Sequence, residues 1–139
     1  MSQIVNQNFV NNTLINGVNV AVTVTPQMNG TTFICTKNAG LLTVTLPDPT
    51  IAGLRFRFVM AQAAVVAQII TLQTPTANTM AGLWISNAGA VTATANACAT
   101  HNANFTATSE WGDIWDLTSD GTLWRGYGTT SVAAGCSFS

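Results

Sequence analysis

Alternation of apolar and polar residues with a period of two dominates this sequence. Residues 54–60 read LRFRFVM, so that apolar side chains at the even positions alternate with two arginines. Successive side chains of a β-strand point to opposite faces of a sheet. The segment is therefore predicted to be a half-buried strand whose arginines face solvent. Residues 18–25, VNVAVTVT, repeat the pattern with four valines on one face.

Similar short segments recur along the chain, separated by Gly, Asn, Pro and Asp. They are TTFICT (31–36), LLTVTLP (41–47), AQIITLQTP (67–75), GLWIS (82–86) and the small-residue segment AVTATANACATHNANFTATSE (90–110). About nine or ten short strands without a fixed repeat predict an all-β fold with little or no helix. We expect an antiparallel β-sandwich of jelly-roll type, in a single domain that spans residues 1–139.

Two segments leave alternatives open. Residues 1–17 end in Asn-Gly, a strong signal for a two-residue hairpin turn. They are interpreted either as the first hairpin of the domain or as an extended N-terminal arm that adds strands to a neighbouring subunit. Residues 60–69, MAQAAVVAQI, are the helix candidate: their alanine content favours a helix, whereas Val65, Val66 and the short length oppose it.

Charged residues are unusually rare. They make up 6% of the chain, against roughly 25% in a typical soluble protein. Because binding to phosphates requires clustered Lys and Arg, and this chain has four that are scattered, we expect no direct nucleic-acid partner. A surface with so little charge also repels its own copies weakly, which favours a subunit of a permanent assembly.

The N-terminal residues MSQIVNQNFV lack the basic start and apolar run of a secretory signal, so the chain is predicted to be made and folded in the cytoplasm. The most apolar window, residues 58–72, is shorter than a spanning helix and is interrupted by Gln62 and Gln68. It is predicted to belong to the core, and we expect no membrane partner.

Cysteine and histidine are too few and too far apart for a metal site. Cys35, Cys98 and Cys136 match no metal-ligand spacing, and His101 is the single histidine. We expect no metal and no cofactor. The cysteines are predicted to be buried free thiols, with Cys136 as the exception because it lies near the C-terminus beside a glycine.

Residues 112–128, GDIWDLTSDGTLWRGYG, concentrate acidic and aromatic side chains around an Asp-Gly pair that predicts a hairpin turn. On such a hairpin Asp113 and Asp116 project to opposite faces, so they do not converge as the paired carboxylates of a glycosidase do. The chain is therefore not predicted to be an enzyme, although a small hydrolase that uses Asp113 or Glu110 remains an alternative. Arg125 is expected to pair with Asp116 across the hairpin.

Four aromatic residues in and beside this hairpin are candidates for ligand binding or for an interface. Trp111, Trp115, Trp124 and Tyr127 could stack on a sugar, because an aromatic ring combines apolar area with a polar edge. They could equally pack against one another across the two strands. The choice depends on whether each ring is buried or exposed.

Two segments carry a resemblance to a known family. TVTLPDPTIAGLRFRFV (43–59) has a strand that ends in Leu-Pro and an Ala-Gly turn that leads into an aromatic strand, and residues 112–128 have a Gly-Asp strand that runs into Ser-Asp-Gly-Thr and Trp. In these features the chain resembles the small decoration, or cement, proteins on capsids of tailed bacteriophages and related viruses. The matching residues are Leu46-Pro47, Ala52-Gly53, Phe56, Phe58, Gly112-Asp113, Ser119 to Thr122, and Trp124.

The resemblance covers about residues 40–128. It implies an antiparallel β-tulip or jelly-roll-like module that forms homotrimers on the outer capsid surface of the virion, binds the major capsid protein and has no catalytic residues. We therefore expect a structural, capsid-stabilising protein. Similar modules occur in phage tails and fibres, so the alternative is a receptor- or glycan-binding module that uses Trp111, Trp115 and Trp124.

Overall fold

A computed structural model describes residues 21–36, 41–61, 69–76, 79–86, 92–100, 102–132 and 134–139, with the backbone alone for 92–100. The arm or hairpin expected at residues 1–17 and most of the helix candidate at 60–69 lie outside the described residues. Within the described segments, every regular element is a β-strand except one turn of 3-10 helix at Pro26–Met28. The predicted all-β fold is confirmed.

Eleven strands run through the described segments; all but the last coincide with segments that the alternation predicts, with β6 starting two residues earlier and β10 ending two residues later. They are β1 (Val22–Thr23), β2 (Thr32–Cys35), β3 (Leu42–Thr45), β4 (Arg55–Met60), β5 (Ile70–Gln73), β6 (Met80–Ser86), β7 (Thr92–Thr100), β8 (Asn102–Phe105), β9 (Ile114–Ser119), β10 (Trp124–Thr130) and β11 (Cys136–Phe138). The sequence pattern predicts no strand at β11, which lies in the Gly-rich C-terminal segment.

The strands form two sheets. In the described chain the five-stranded sheet has the order β1-β3-β5-β8-β11, and the six-stranded sheet has the order β2-β4-β9-β10-β6-β7. From β1 to β6 the chain alternates between the sheets. A chain that crosses to the other sheet and returns arrives in its original direction, so β1, β3 and β5 are parallel neighbours, as are β2 and β4.

Both sheets are therefore mixed. Four of the nine pairings between described strands are parallel, the fourth being β6 with β10, and the expectation of a purely antiparallel sandwich is corrected on this point. A jelly roll is built from antiparallel strands. The physical reason for the difference is the alternating path of the first six strands, which short-range periodicity does not reveal.

The hydrophobic core lies between the two sheets. The alternation predicted for residues 54–60 is confirmed, because Phe56, Phe58 and Met60 are buried while the two arginines of β4 are exposed. Phe33 of β2 stacks on Phe58 with ring centroids 4.7 Å apart. From the other sheet Phe138 packs edge-on against Trp115 of β9 at 4.9 Å. Burial of each such side chain stabilises the fold by about 1.5–3 kcal/mol.

The outer face of the five-stranded sheet carries uncharged hydroxyl and amide side chains. The strand register aligns them in two rows, and we call this surface the hydroxyl–amide face: Thr43, Thr71, Asn104 and Ser137 in one row, and Thr23, Thr45, Gln73 and Asn102 in the other. Asn104 donates from its amide to the Ser137 and Ser139 hydroxyls at 3.3 and 3.0 Å. This face consists of short polar side chains held in register.

Candidate functional site: the outer face of the six-stranded sheet

The two segments that carry the family resemblance meet in the fold. The corner between β3 and β4 packs against the end of the β9–β10 hairpin. Ser119 donates its hydroxyl to the Pro49 carbonyl oxygen at 2.7 Å, and its own carbonyl accepts from the Gly53 N–H at 2.8 Å. Trp124 donates its indole N–H to the Pro47 carbonyl oxygen at 2.9 Å. The residues of the resemblance thus join the corner to the hairpin and stabilise the fold.

The predicted Asp-Gly turn is confirmed. The Asp120 carboxylate accepts hydrogen bonds from the Thr122 and Leu123 backbone N–H groups at 2.9 and 2.7 Å, and from Arg125 Nε at 2.7 Å. Gly121 supplies the positive φ, 95°, that the turn needs. The Leu123 and Thr122 N–H groups, followed by Arg125, lower the pKa of Asp120 from 3.8 to about 2. Asp120 therefore closes the turn as a carboxylate.

Two of the four candidate aromatics belong to the core. The side chains of Trp115 and Trp124 are fully buried, and Trp115 donates its indole N–H to the Asn104 carbonyl oxygen at 3.1 Å. Neither ring is accessible to a ligand, so the interpretation of these two as stacking residues is corrected. Trp111 and Tyr127 are exposed, by 67% and 44% respectively. They are the members of the set that a partner or ligand can reach.

Ion pairs on the outer face differ from the expected one. Arg57 of β4 makes two hydrogen bonds to the Asp116 carboxylate, at 2.6 and 2.9 Å, and this contact raises the Arg57 pKa above its ordinary value. Arg125 pairs with Asp120 instead of Asp116. The register explains the difference, because it sets Asp116 opposite Arg57 on one side and Tyr127 on the other.

The register also aligns the outward side chains of this sheet into three rows, which together with Trp111 we call the arginine–aromatic face. The rows are Arg55, Thr118 and Arg125; then Thr32, Arg57, Asp116, Tyr127 and Leu83; then Ile34, Val59, Ile114, Thr129 and Ile85. Every described arginine of the chain lies on this face. The third row is largely apolar, and Trp111 lies beside it.

Trp111 is presented by a braced turn between β8 and β9. The Asp113 carboxylate is buried and accepts four hydrogen bonds, from the Glu110 N–H at 2.8 Å, the Thr130 hydroxyl at 3.0 Å, and the Ser131 N–H and hydroxyl at 2.8 and 3.1 Å. These bonds tie the turn to the end of β10. Because its oxygens are engaged and away from solvent, Asp113 is not placed to act on a substrate.

Two open clefts mark the ends of the arginine–aromatic face. One, of about 370 Å³, lies between Trp111, Ile85 and Thr129. The other, of about 560 Å³, lies along β4, β9 and the start of β2, where its lining includes Arg55 and Thr118. The first cleft adjoins the third row, which we call the apolar row, and the second adjoins the first row, which contains Arg55 and Arg125. The face therefore has one apolar end and one positively charged end.

The described thiols are buried. Cys35 and Cys136 are both inaccessible to solvent, so the expectation that Cys136 is exposed is wrong: it lies on the inward side of β11. Burial raises the pKa of the Cys35 thiol to about 12. The side chains of Cys98 and His101 lie outside the described residues. Among the residues described, no three metal-ligating side chains lie together, and no helix is long and apolar enough to cross a membrane.

Comparison with known proteins found no relative. No protein-family model matches the chain, and neither the curated proteins nor the solved structures include a match.

Proposed function

We propose that this chain is a capsid decoration, or cement, protein: a structural virion protein that binds the major capsid protein as a homotrimer and stabilises the shell from its outer surface. The observation that carries the proposal is the arginine–aromatic face. Trp, Tyr and Arg are the residue types enriched in the centres of protein interfaces. This face holds the exposed Trp111 and Tyr127 together with three arginines, on a chain in which 6% of residues are charged.

Two further observations support a binding role without catalysis. Each aspartate of the hairpin is engaged in a structural contact. Asp113 accepts hydrogen bonds that hold a turn, and Asp116 and Asp120 pair with arginines. The residues in which the sequence resembles decoration proteins link the β3–β4 corner to the hairpin, as the Ser119–Pro49 bond illustrates.

The proposal is tested by assembly and shell binding. We expect native mass spectrometry to give three times the chain mass of 14.5 kDa. We also expect the purified protein to co-sediment with particles of the parent virus from which it has been stripped, and to raise the temperature at which they rupture. A monomer at micromolar concentration that fails to sediment with these particles would contradict the proposal.

A receptor- or glycan-binding module of a phage tail or fibre is the second candidate. The observation in its favour is that Trp111 and Tyr127 are both exposed on one sheet face. A glycan array separates the two candidates. Binding to defined glycans that is lost in Trp111→Ala, without loss of folding, would support the second function and count against the first.

A further inference from the structure

We propose that the arginine–aromatic face is the surface that docks on the shell, and that it recognises a protein surface bearing an apolar strip and a carboxylate. The strip packs on Trp111 and the apolar row, and the carboxylate pairs with Arg55. Arg55 and Val59, the member of the apolar row on the same strand, are four residues apart. The two contacts are therefore at least about 13 Å apart along the strand. This inference rests on the proposed function, which supplies the partner but does not say which surface meets it.

The first argument is the way in which Trp111 is held. Its ring is 67% exposed, yet the turn that carries it is fixed on both sides. After Trp111, Gly112 adopts a φ of 82° and donates its N–H to the Met60 carbonyl oxygen at 2.8 Å; before it, the Glu110 N–H donates to the Asp113 carboxylate at 2.8 Å. Because these bonds fix the backbone, binding costs mainly the rotamer freedom of the Trp111 side chain. Trp111 is therefore an anchor on a preorganised turn.

The second argument is the apolar row beside this anchor. Ile34, Val59, Ile114 and Ile85 lie on four strands in one register row, and each is half-buried although it points away from the core. Apart from Thr129, which lies between Ile114 and Ile85, the row presents apolar side chains, and apolar patches on a protein surface mark interaction sites. The row consists mainly of branched apolar side chains, which apolar side chains of a protein partner complement.

The third argument is charge. Arg57 and Arg125 are each matched by an aspartate on the same face, at 2.6 and 2.7 Å. The structure shows no carboxylate paired with the Arg55 side chain among the residues described, and this side chain is exposed at the mouth of the cleft beside Thr118. The face thus carries one cation in excess, and a carboxylate of the partner complements it.

The fourth argument is area. Five strands about 4.8 Å apart, each contributing about five residues of 3.3 Å, cover roughly 400 Å² before the relief of the side chains is counted. A standard interface buries about 800 Å² on each partner. The flat area of the face is about half of this value, which places the contact at the small end of interface sizes. The hydroxyl–amide face on the opposite side carries no charged side chain among its described residues, and the exposed Leu41 and Ile69 directly precede its strands β3 and β5.

The test compares matched variants in the co-sedimentation assay with stripped particles. We expect Trp111→Ala and Arg55→Glu each to weaken binding at least tenfold, because aromatic and arginine anchors dominate interface energies. Leu41→Ala removes an equally exposed apolar side chain, 71% accessible, outside this face, and we expect it to bind as the wild type does. Circular dichroism of all three variants confirms that they are folded.

The outcomes separate the inference from the function on which it rests. If the wild type binds and both face variants bind equally well, the function stands and the docking surface is wrong. If the wild type does not bind, the proposed function itself fails. If the face variants dissociate the trimer, the occupant is a second copy of the chain, and if they abolish binding to a glycan array, it is a sugar; either result overturns the inference.

Discussion

The indole N–H of Trp124 donates a hydrogen bond to the Pro47 carbonyl oxygen at 2.9 Å, across 77 residues of sequence. Both residues belong to the two segments on which the proposed resemblance to decoration proteins rests. A proline-rich corner has few N–H groups with which to satisfy its own carbonyls. The hairpin supplies the missing donors, from Trp124 and from the Ser119 hydroxyl, so that the two motifs depend on each other.

Trp124→Phe keeps most of the buried ring and removes this donor. We expect a loss of about 1–2 kcal/mol in the free energy of unfolding, because the Pro47 carbonyl is left without its partner. Urea denaturation followed by circular dichroism measures it. Trp111→Phe is the matched control and should leave stability unchanged within about 0.5 kcal/mol. Equal losses in the two variants would show that the hydrogen bond to Pro47 is not the cause.

Asp113→Ala removes a buried carboxylate that accepts four hydrogen bonds. The donors of Glu110, Thr130 and Ser131 then lose a charged partner, and we expect destabilisation of about 3 kcal/mol or more. Asp116→Ala is the control, since it breaks an exposed pair with Arg57 that contributes less than about 1 kcal/mol. Comparable urea midpoints for the two variants would contradict the bracing role of Asp113.

Gly82→Ala tests the close approach of β6 and β10. A Cβ atom at residue 82 would overlap the carbonyl of Gly126 on the neighbouring parallel strand. We expect this variant to yield no folded soluble protein. Gly30→Ala places its Cβ in open space and meets only the strain of a φ of 83°, which costs about 1–2 kcal/mol. If Gly82→Ala folds as well as Gly30→Ala, the parallel pairing of β6 with β10 is wrong.

The pH dependence of Asp120 follows from its lowered pKa. Because the pKa is about 2 in the folded chain and 3.8 ordinarily, the carboxylate stabilises the fold above about pH 4, and this contribution is lost as the pH falls towards 2. An NMR titration of the side-chain carboxyl carbon should give a midpoint near 2. Arg125→Gln should raise that midpoint only in part, because the backbone N–H groups of Leu123 and Thr122 contribute more. An ordinary midpoint in the wild type would refute the turn geometry.

The strands were largely predictable from the sequence, and the way in which they pair was not. Burial on one side of β4 follows from alternation within seven residues, which a half-buried strand requires. The parallel pairing of β3 with β5 depends on contacts between residues far apart in sequence. The strand β11 was missed because its three residues follow a glycine and are too short to show a period.

The site was predictable only in part for a similar reason. Trp115 and Trp124 can be assigned to the core once it is known which alternate positions of the hairpin strands face inward, because both alternate with outward polar residues. Trp111 precedes the strand, so the alternation of inward and outward positions does not predict where its side chain points. Its exposure follows from the turn that Asp113 braces. Pairing of Arg125 with Asp120 depends on the register near the turn, which composition does not reveal.

Cryo-electron microscopy of the parent virus particle tests the central claim most directly. The proposal predicts trimeric density for this chain on the outer surface of the shell, with Trp111 and Arg55 facing the major capsid protein. Density confined to a tail or fibre, or an outer shell surface without the chain, would contradict it.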